Sequence, residues 1–191
     1  MPDKDMALLQ LKELVEEVTN CTKCPLAQSR THVVFGEGNL HARLMFVGEG
    51  PGKDEDLQGR PFVGRAGQLL DAMLEAIDIK RAEVYITNIV KCRPPNNRVP
   101  APAEARACLP YLRNQVAIVK PKIIVCLGAT AAKYIIDPNF KITQQRGQWI
   151  ERKGYYIIAT FHPAAILRDP SKKKPAWEDF ILIKEKYLAE G

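Results

Sequence analysis

The chain has 191 residues, of which 46% are apolar, and this composition suits one domain with a sizeable hydrophobic core. The formal net charge of +6 favours an anionic partner and is also compatible with simple solubility. The longest apolar run, near residues 123–132, is too short to cross a bilayer, and the charged N-terminal segment lacks the apolar core of a signal peptide. These features argue against a membrane or secreted protein, so we expect a cytoplasmic one.

Apolar residues along the chain alternate between the spacing typical of helices and that of strands. The predicted elements, in chain order, are a helix over 5–18, strands over 33–35 and 44–47, a helix over 66–77, a strand over 84–90, a helix over 103–119, a strand over 122–127, a helix over 129–136, a strand over 155–161 and a helix over 175–188. Strands that alternate with helices predict a single α/β domain whose parallel sheet is covered by helices on both faces.

A glycine-rich stretch, GEGPGKDED at 48–56, follows the strand over 44–47. Open α/β sheets bind ligands at the carboxyl ends of their strands, where this stretch lies. Its glycines allow close approach to the backbone, its acids are polar and the nearby Phe62 is aromatic, so we expect a pocket for a flat, polar ligand. A phosphate-binding loop fits poorly, because Val47 and Asp54 stand where that motif requires Gly and Ser or Thr. A structural Ω-loop is the other alternative.

Four cysteines are candidate ligands of a metal site. Cys21 and Cys24 form a Cys-x2-Cys pair, while Cys92 and Cys108 flank a loop rich in Pro, Asn and Arg. A disulfide scaffold does not suit an intracellular chain of this length, so a four-thiolate centre is favoured. Zinc and a [4Fe-4S] cluster both accept four cysteines, and the wide, uneven spacing weakens the case for zinc without excluding it. Cys126, inside an apolar strand, is predicted to be a core residue.

Three polar residues each stand at the end of a different predicted strand: Glu49, Asn88 and His162. A lone histidine is usually structural, but this one enters a loop at the end of a strand, where sites gather. Because the carboxyl ends of parallel strands meet at one edge of a sheet, we expect these three residues to converge.

Four motifs now stand together with the cysteine pattern: GEGPGKDED at 48–56, GRPFVGRAGQLL at 59–70, TNIVKCRPPNNR at 87–98 and HPAAILR at 162–168. In combination they resemble the family 4 uracil-DNA glycosylases, iron-sulfur enzymes of archaea and thermophilic bacteria. The resemblance extends from Cys21 to about Arg168. It implies one glycosylase-like domain over 1–191, with a central parallel four-stranded sheet flanked by helices in three layers and an iron-sulfur cluster loop.

The resemblance implies a repair enzyme that flips uracil out of single- or double-stranded DNA and hydrolyses its N-glycosidic bond, leaving an uncut abasic site. Phe62 is then expected to stack on uracil, Asn88 to bind its polar edge, and His162 to stand at the leaving base. Gly50 and Gly52 are expected to line the pocket. The implied ligands of a [4Fe-4S] cluster are Cys21, Cys24, Cys92 and Cys108.

The acid that positions the attacking water is a separate question. In the best-known uracil glycosylases an aspartate does so, and Gly50 stands at that place in this chain. Another acid must therefore serve, and we expect Glu49 first and Glu55 second. Water held mainly by the backbone is the alternative.

Leu167 and Arg168 follow His162 at a distance suited to a DNA wedge, in which an apolar side chain fills the space of the flipped nucleotide and a cation binds phosphate. The alternative is a core leucine beside a solvated arginine. Further phosphate contacts are expected from basic residues of two nearby segments, namely Lys91, Arg93, Arg98, Lys172, Lys173 and Lys174.

Two other functions fit the residues without the resemblance: a non-catalytic iron-sulfur redox protein that binds DNA, and a zinc-stapled nucleic-acid-binding module. For the glycosylase we expect a cytoplasmic, nucleoid-associated monomer that has uracil-containing DNA as its partner and no membrane partner. The sequence identifies no sliding clamp or other repair protein that binds it.

Overall fold

A computed structural model describes residues 2–191, with side chains from Met6 onward. The helices are α1 (Pro2–Thr19), α2 (Leu26–Ser29), α3 (Lys53–Gln58), α4 (Arg65–Ala76), α5 (Pro102–Val119), α6 (Ala129–Ile135), α7 (Ile142–Gln145), α8 (Pro163–Arg168) and α9 (Lys173–Ala189). The strands are β1 (Glu37–Gly38), β2 (Leu44–Gly48), β3 (Tyr85–Asn88), β4 (Ile123–Leu127), β5 (Ile150–Arg152) and β6 (Tyr155–Thr160).

The strands of the described chain form one mixed sheet in the order β1-β3-β2-β4-β6-β5. The inner strands β3, β2, β4 and β6 are parallel, and the short edge strands β1 and β5 run antiparallel to their neighbours. The predicted α/β fold with a central parallel four-stranded sheet is therefore confirmed. The sequence pattern did not predict strand β5. The edge strands β1 and β5 each add one strand to the four-stranded sheet that the resemblance implied.

Helices cover both faces of the sheet, which makes three layers. Alternate strand residues face opposite sides, so Met45 and Val47 pack with α1, α5 and α6 while Leu44 and Phe46 pack with α4 and α9. Strands buried on both faces read as continuous apolar runs, as these do. Cys126 is fully buried in β4, which confirms its prediction as a core residue.

The strand predicted at residues 33–35 is wrong. Instead of a ladder, the Val34 amide donates to the Lys91 carbonyl at 2.8 Å, and the Phe35 carbonyl accepts from the Thr87 hydroxyl and the Gln115 amide. These mostly side-chain contacts satisfy the segment, and strand pairing begins only at Glu37.

The glycine-rich stretch is also not a loop throughout, because residues 53–58 form α3. Gly52 precedes the helix, and Gly59 ends it with a φ of +69°, the left-handed conformation that favours glycine at helix ends. The acids of this stretch therefore lie on a short helix rather than along a loop. Among residues 2–191, no helix combines the length and apolar character needed to span a bilayer.

Candidate active site

The ends of β2, β3 and β6 bring several predicted site residues to one edge of the sheet. Gly48 and Asn88 are paired where β2 and β3 end. β6 ends at Thr160, and His162 follows it as the residue that caps α8. The loops after these parallel strands therefore leave from the same end of the sheet, with β4 lying between β2 and β6.

The Phe62 and His162 rings lie against each other, with centroids 5.5 Å apart and planes inclined by 28°. Phe62 is buried, and its φ of +50° is unusual for a bulky residue. Two glycines leave space for Phe62. A Cβ at Gly48 would lie 2.6 Å from the edge of the Phe62 ring, and one at Gly67 would lie 1.9 Å from the Phe62 carbonyl oxygen. An aromatic wall thus stands over the end of β2.

Asn88 has an unpaired acceptor. The side chain is 2% exposed, and its Oδ1 atom is buried with no hydrogen-bond partner in the described part of the chain. A Cβ at Gly48 would lie only 2.5 Å from this oxygen. A buried polar atom without a partner costs about 1–3 kcal/mol. Such a cost is expected at a site where a ligand supplies the missing donor.

The surroundings of His162 determine which ring nitrogen carries its proton. Nδ1 accepts a hydrogen bond from the Ala164 amide at 3.0 Å, so the proton of the neutral ring lies on Nε2. Burial, and secondarily the charge of Arg168, lowers the pKa of His162 from 6.5 to about 4. At neutral pH the residue is therefore an uncharged imidazole that offers an Nε2–H donor to a ligand.

The two candidate acids differ in what they bind. Glu49 is half-buried, and its carboxylate accepts one hydrogen bond, from the Thr130 hydroxyl to Oε2 at 2.5 Å. Both oxygens of Glu55 are occupied by the backbone of its own loop. The donors to Glu55 are the amides of Gly52 at 3.1 Å, Val63 at 3.0 Å and Gly64 at 2.9 Å. Glu49 thus keeps an oxygen for another partner, whereas Glu55 holds the start of α3 against the start of α4.

Close packing leaves little space for a side chain at Gly50 and Gly52. A Cβ at Gly50 would lie 2.7 Å from the Val90 side chain, and one at Gly52 would lie 2.8 Å from a Glu55 carboxylate oxygen. The Val90 amide also donates to the Glu49 carbonyl at 3.2 Å. The backbone of the glycine-rich stretch therefore runs directly over the end of β3.

Arg81 supports the site and was missed by sequence reasoning. Its guanidinium donates to the carbonyls of Pro61 at 2.6 Å and Phe62 at 3.0 Å. It also donates to the carboxylates of Asp71 at 2.7 Å and Glu37 at 3.0 Å. These contacts hold the backbone of Phe62 in place. No sequence motif signals Arg81, because its partners come from separate segments of the chain.

The four predicted metal ligands line one small cavity between α1, α2, the loop after β3, and α5. They are Cys21, Cys24, Cys92 and Cys108. The Arg30 guanidinium, at the rim of the same cavity, donates to Cys92 Sγ at 3.4 Å and to the Cys21 carbonyl at 2.8 Å. The fold thus gathers thiols from two distant parts of the chain beside a cation.

Two thiols of this cavity, those of Cys92 and Cys108, favour the protonated form when no metal is bound. Burial raises the pKa of Cys92, and it raises that of Cys108 to about 11. Arg30 beside Cys92 and Lys91 beside Cys108 oppose the effect. Across the described residues, no three acidic, imidazole or thiol groups converge on a position for a single metal ion. The shared cavity supports a four-cysteine centre, and the identity of its metal stays a prediction.

The predicted wedge lies on the surface, so a core role for Leu167 is wrong. Leu167 is 39% exposed, and Arg168 beside it at the end of α8 is also exposed. Lys91 as a phosphate contact is also wrong, because it is 1% exposed. Arg98 forms a bidentate ion pair with Glu104, with both distances 2.8 Å.

Comparisons with known proteins agree with this geometry. A model of the uracil DNA glycosylase superfamily matches residues 35–183. The chain is 52% identical to the type-4 uracil-DNA glycosylase of Thermotoga maritima over 167 residues, which are 86% of this chain and 87% of the relative. It is 50% identical to that of Sulfurisphaera tokodaii over 184 residues, 92% of this chain and 84% of the relative. A type-5 uracil-DNA glycosylase of Pyrobaculum aerophilum shares 28% identity over 187 residues, 81% of this chain and 82% of the relative. The chain therefore belongs to the uracil DNA glycosylase superfamily and, within it, to the type-4 uracil-DNA glycosylases.

Proposed function

We propose that this protein is a DNA repair enzyme that excises uracil from DNA by hydrolysing the N-glycosidic bond. The unpaired Oδ1 of Asn88, which lies with the edge of the Phe62 ring beside Gly48, carries this proposal. A target base must leave the helical stack to reach such a pocket, and an aromatic wall stabilises a flipped base by stacking. Free uracil and an intact abasic site are the products.

Asn88 supplies the selectivity for uracil over cytosine. Its amide accepts from uracil N3–H through Oδ1 and donates to uracil O4 through the amide nitrogen. Cytosine has an acceptor at N3 and an amine at position 4, so both contacts are lost, at about 1–3 kcal/mol each. Thymine has the same polar edge as uracil and must be excluded by shape. The segment 52–55 is the proposed wall against its methyl group, because Glu55 holds that segment rigidly.

His162 stabilises the leaving base. Negative charge develops on uracil as the glycosidic bond breaks, while positive charge develops on the sugar. The neutral imidazole donates Nε2–H to uracil O2, and one such donor to a developing oxyanion contributes roughly 3–4 kcal/mol. The Ala164 amide at 3.0 Å from Nδ1 keeps the ring in the tautomer that can donate.

Glu49 is the proposed residue that positions the attacking water. Its carboxylate is half-buried at the end of β2, and Thr130 binds only one of its two oxygens. The other oxygen orients the water towards the sugar and accepts its proton as the bond forms. Glu55, whose oxygens bind three backbone amides, is the weaker candidate for this role.

Leu167 and Arg168 form the proposed DNA wedge. The exposed Leu167 fills the space that the flipped nucleotide leaves, and Arg168 binds phosphate. Leu167→Ala should slow excision from paired DNA several-fold more than excision from single strands, which have little stacking to replace. Single-turnover rates on matched substrates measure the difference, and equal losses on both would contradict the wedge.

Cys21, Cys24, Cys92 and Cys108 are the proposed ligands of a [4Fe-4S] cluster. The chemistry of the donor set fits, since four thiols share one cavity with the cation of Arg30. When bound, such a cluster ties the segment after α1 to α5 and can carry one electron. Purified protein should be brown, with about four irons and four sulfides per chain. Stoichiometric zinc without labile sulfide in anaerobic preparations would exclude the cluster.

The decisive experiment is incubation with single- and double-stranded DNA that contains one uracil. We expect free uracil and an intact abasic strand, because no lysine in the motifs is placed as a Schiff-base nucleophile. DNA binding without uracil release would instead favour a redox or zinc-stapled binding module. A protein–DNA adduct trapped by borohydride would show that the enzyme is not monofunctional.

A further inference from the structure

Lys91 is a buried lysine that the proposed mechanism does not use. It is 1% exposed, and lysine is almost never fully buried unless it is paired. The residue follows β3 and immediately precedes Cys92, so it lies between the base pocket and the thiol cavity in the sequence. Burying an unbalanced ammonium costs several kcal/mol, so its partners indicate what the group does.

Three acceptors surround the Lys91 ammonium. Nζ donates to the Thr87 hydroxyl at 2.6 Å, to the Asn88 carbonyl at 2.7 Å and to Gln115 Oε1 at 2.7 Å. The Gln115 amide donates in turn to the Phe35 carbonyl at 2.8 Å. Three acceptors at this distance match the three N–H groups of the charged form.

The same residue also borders the thiols. Lys91 lines the cavity of the four cysteines and immediately precedes Cys92. Lys91 thus links two places: its ammonium binds the main chain of the proposed base reader, and the residue lines the cavity of the proposed metal centre. In the described chain no carboxylate hydrogen-bonds to it, so an anionic centre would supply its missing counter-charge.

We propose that Lys91 is a positioning residue that couples the two sites, holding the Asn88 main chain in register for uracil while balancing the negative charge of a cluster on the four cysteines. The inference rests on the proposed function and cofactor. It follows that excision depends on Lys91 through Asn88, and that the reduction potential of the cluster depends on the charge of Lys91. By thermodynamic linkage, a change in the charge of the cluster should then alter binding at the base pocket through this side chain, and base binding should alter the cluster in return.

Lys91→Met tests the coupling, because it keeps length and removes the charge and the three donors. We expect kcat to fall about 10- to 100-fold with little change in KM for DNA, the range typical of groups that orient ligands. We also expect the midpoint potential, followed by visible absorption, to fall, since a nearby positive charge favours the reduced cluster. An unchanged potential would overturn the proposal.

Gln115→Met is the matched control. Gln115 is equally buried and belongs to the same network, but it carries no charge and does not line the thiol cavity. This variant should lower the free energy of unfolding and leave the midpoint potential at the parent value. Equal shifts of potential in both variants would mean that loosened packing, not the charge of Lys91, acts on the cluster.

Gln115→Glu provides a second route if Lys91→Met does not fold. It places a carboxylate next to the Lys91 ammonium and so neutralises its charge without removing it, and it should also lower the potential. No shift in this folded variant would overturn the proposal. Parent protein that releases no uracil or holds no iron would refute the proposed function or cofactor. An active, iron-loaded parent with unresponsive variants would refute only the coupling.

Discussion

Two neighbouring regions at the carboxyl ends of the parallel strands differ in whether their polar groups have hydrogen-bond partners. In the base pocket, Oδ1 of Asn88 is buried without a partner and Nε2 of His162 is left to a ligand. Around the adjoining loop between α3 and α4, Glu55 of α3 binds three amides, and Arg81 binds two carbonyls and two carboxylates. The satisfied region fixes the shape of the edge. In the other region, the unpaired polar groups lower the stability of the fold. Such groups are expected where a substrate supplies the missing hydrogen-bond partner.

The largest expected effect comes from removing the unpaired amide. Asn88→Ala should slow uracil excision by about 100-fold or more, since two hydrogen bonds of about 1–3 kcal/mol each are lost with the flipped base. Because phosphate contacts dominate non-specific affinity, binding to uracil-free DNA should change little. Single-turnover excision and a DNA-binding titration measure the two quantities.

Asn88→Asp sharpens the same test. An ionised carboxylate only accepts and so repels uracil O4, while a protonated one matches the edge of cytosine. We expect loss of uracil excision and, as pH falls, a weak gain of cytosine release. Parent-level uracil excision by a folded, metal-loaded variant would mean that Asn88 does not read the base.

Glu49→Gln should lower the excision rate by about 100-fold, because a neutral amide cannot take a proton from water. Its free energy of unfolding should remain close to that of the parent, since the Thr130 hydroxyl is the only hydrogen-bond partner of the Glu49 carboxylate in the described chain. Rate and urea unfolding are measured on the same preparation. If the rate is retained, the water is held by another group.

Glu55→Gln should show the reverse pattern. An amide cannot accept all three hydrogen bonds, so we expect a loss of about 1–3 kcal/mol in the free energy of unfolding. Excision below the unfolding transition should fall less than in Glu49→Gln. A variant of parent stability with a lost rate would instead make Glu55 the catalytic acid.

A further expected effect is a pH dependence of stability. The folded pKa of His162, about 4, lies below the ordinary value of 6.5, so the unfolded state binds more protons between these values. The contribution of neutral His162 is therefore present above about pH 6.5 and is lost as the pH falls towards 4. Urea unfolding across this range should show a weaker pH dependence in His162→Gln, and an identical slope would contradict the lowered pKa.

The alternation of strand-like and helix-like segments along the chain determined the layered α/β fold. Each inner strand is recognisable by itself, because a strand buried on both faces must be continuously apolar whatever its neighbours are. The pattern also located most helices, with ends near those observed: the last is predicted over 175–188 and observed over Lys173–Ala189. It missed β5 and the short helix α8, which are too short to show a period. The residue types at the ends of the strands and the cysteine spacing located the candidate sites.

Only the tertiary structure distinguished residues of the same chemical type. Glu49 and Glu55 look alike in the sequence, yet one keeps a carboxylate oxygen for a further partner and the other holds a loop together. Lys91 reads as a surface cation beside a cysteine but is buried under Asn88, and Arg81 carries no motif at all. The physical reason is that burial and hydrogen-bond satisfaction depend on partners that are distant in the sequence, as in the Gln115 to Phe35 bond, which joins residues 80 positions apart and closes the Lys91 network.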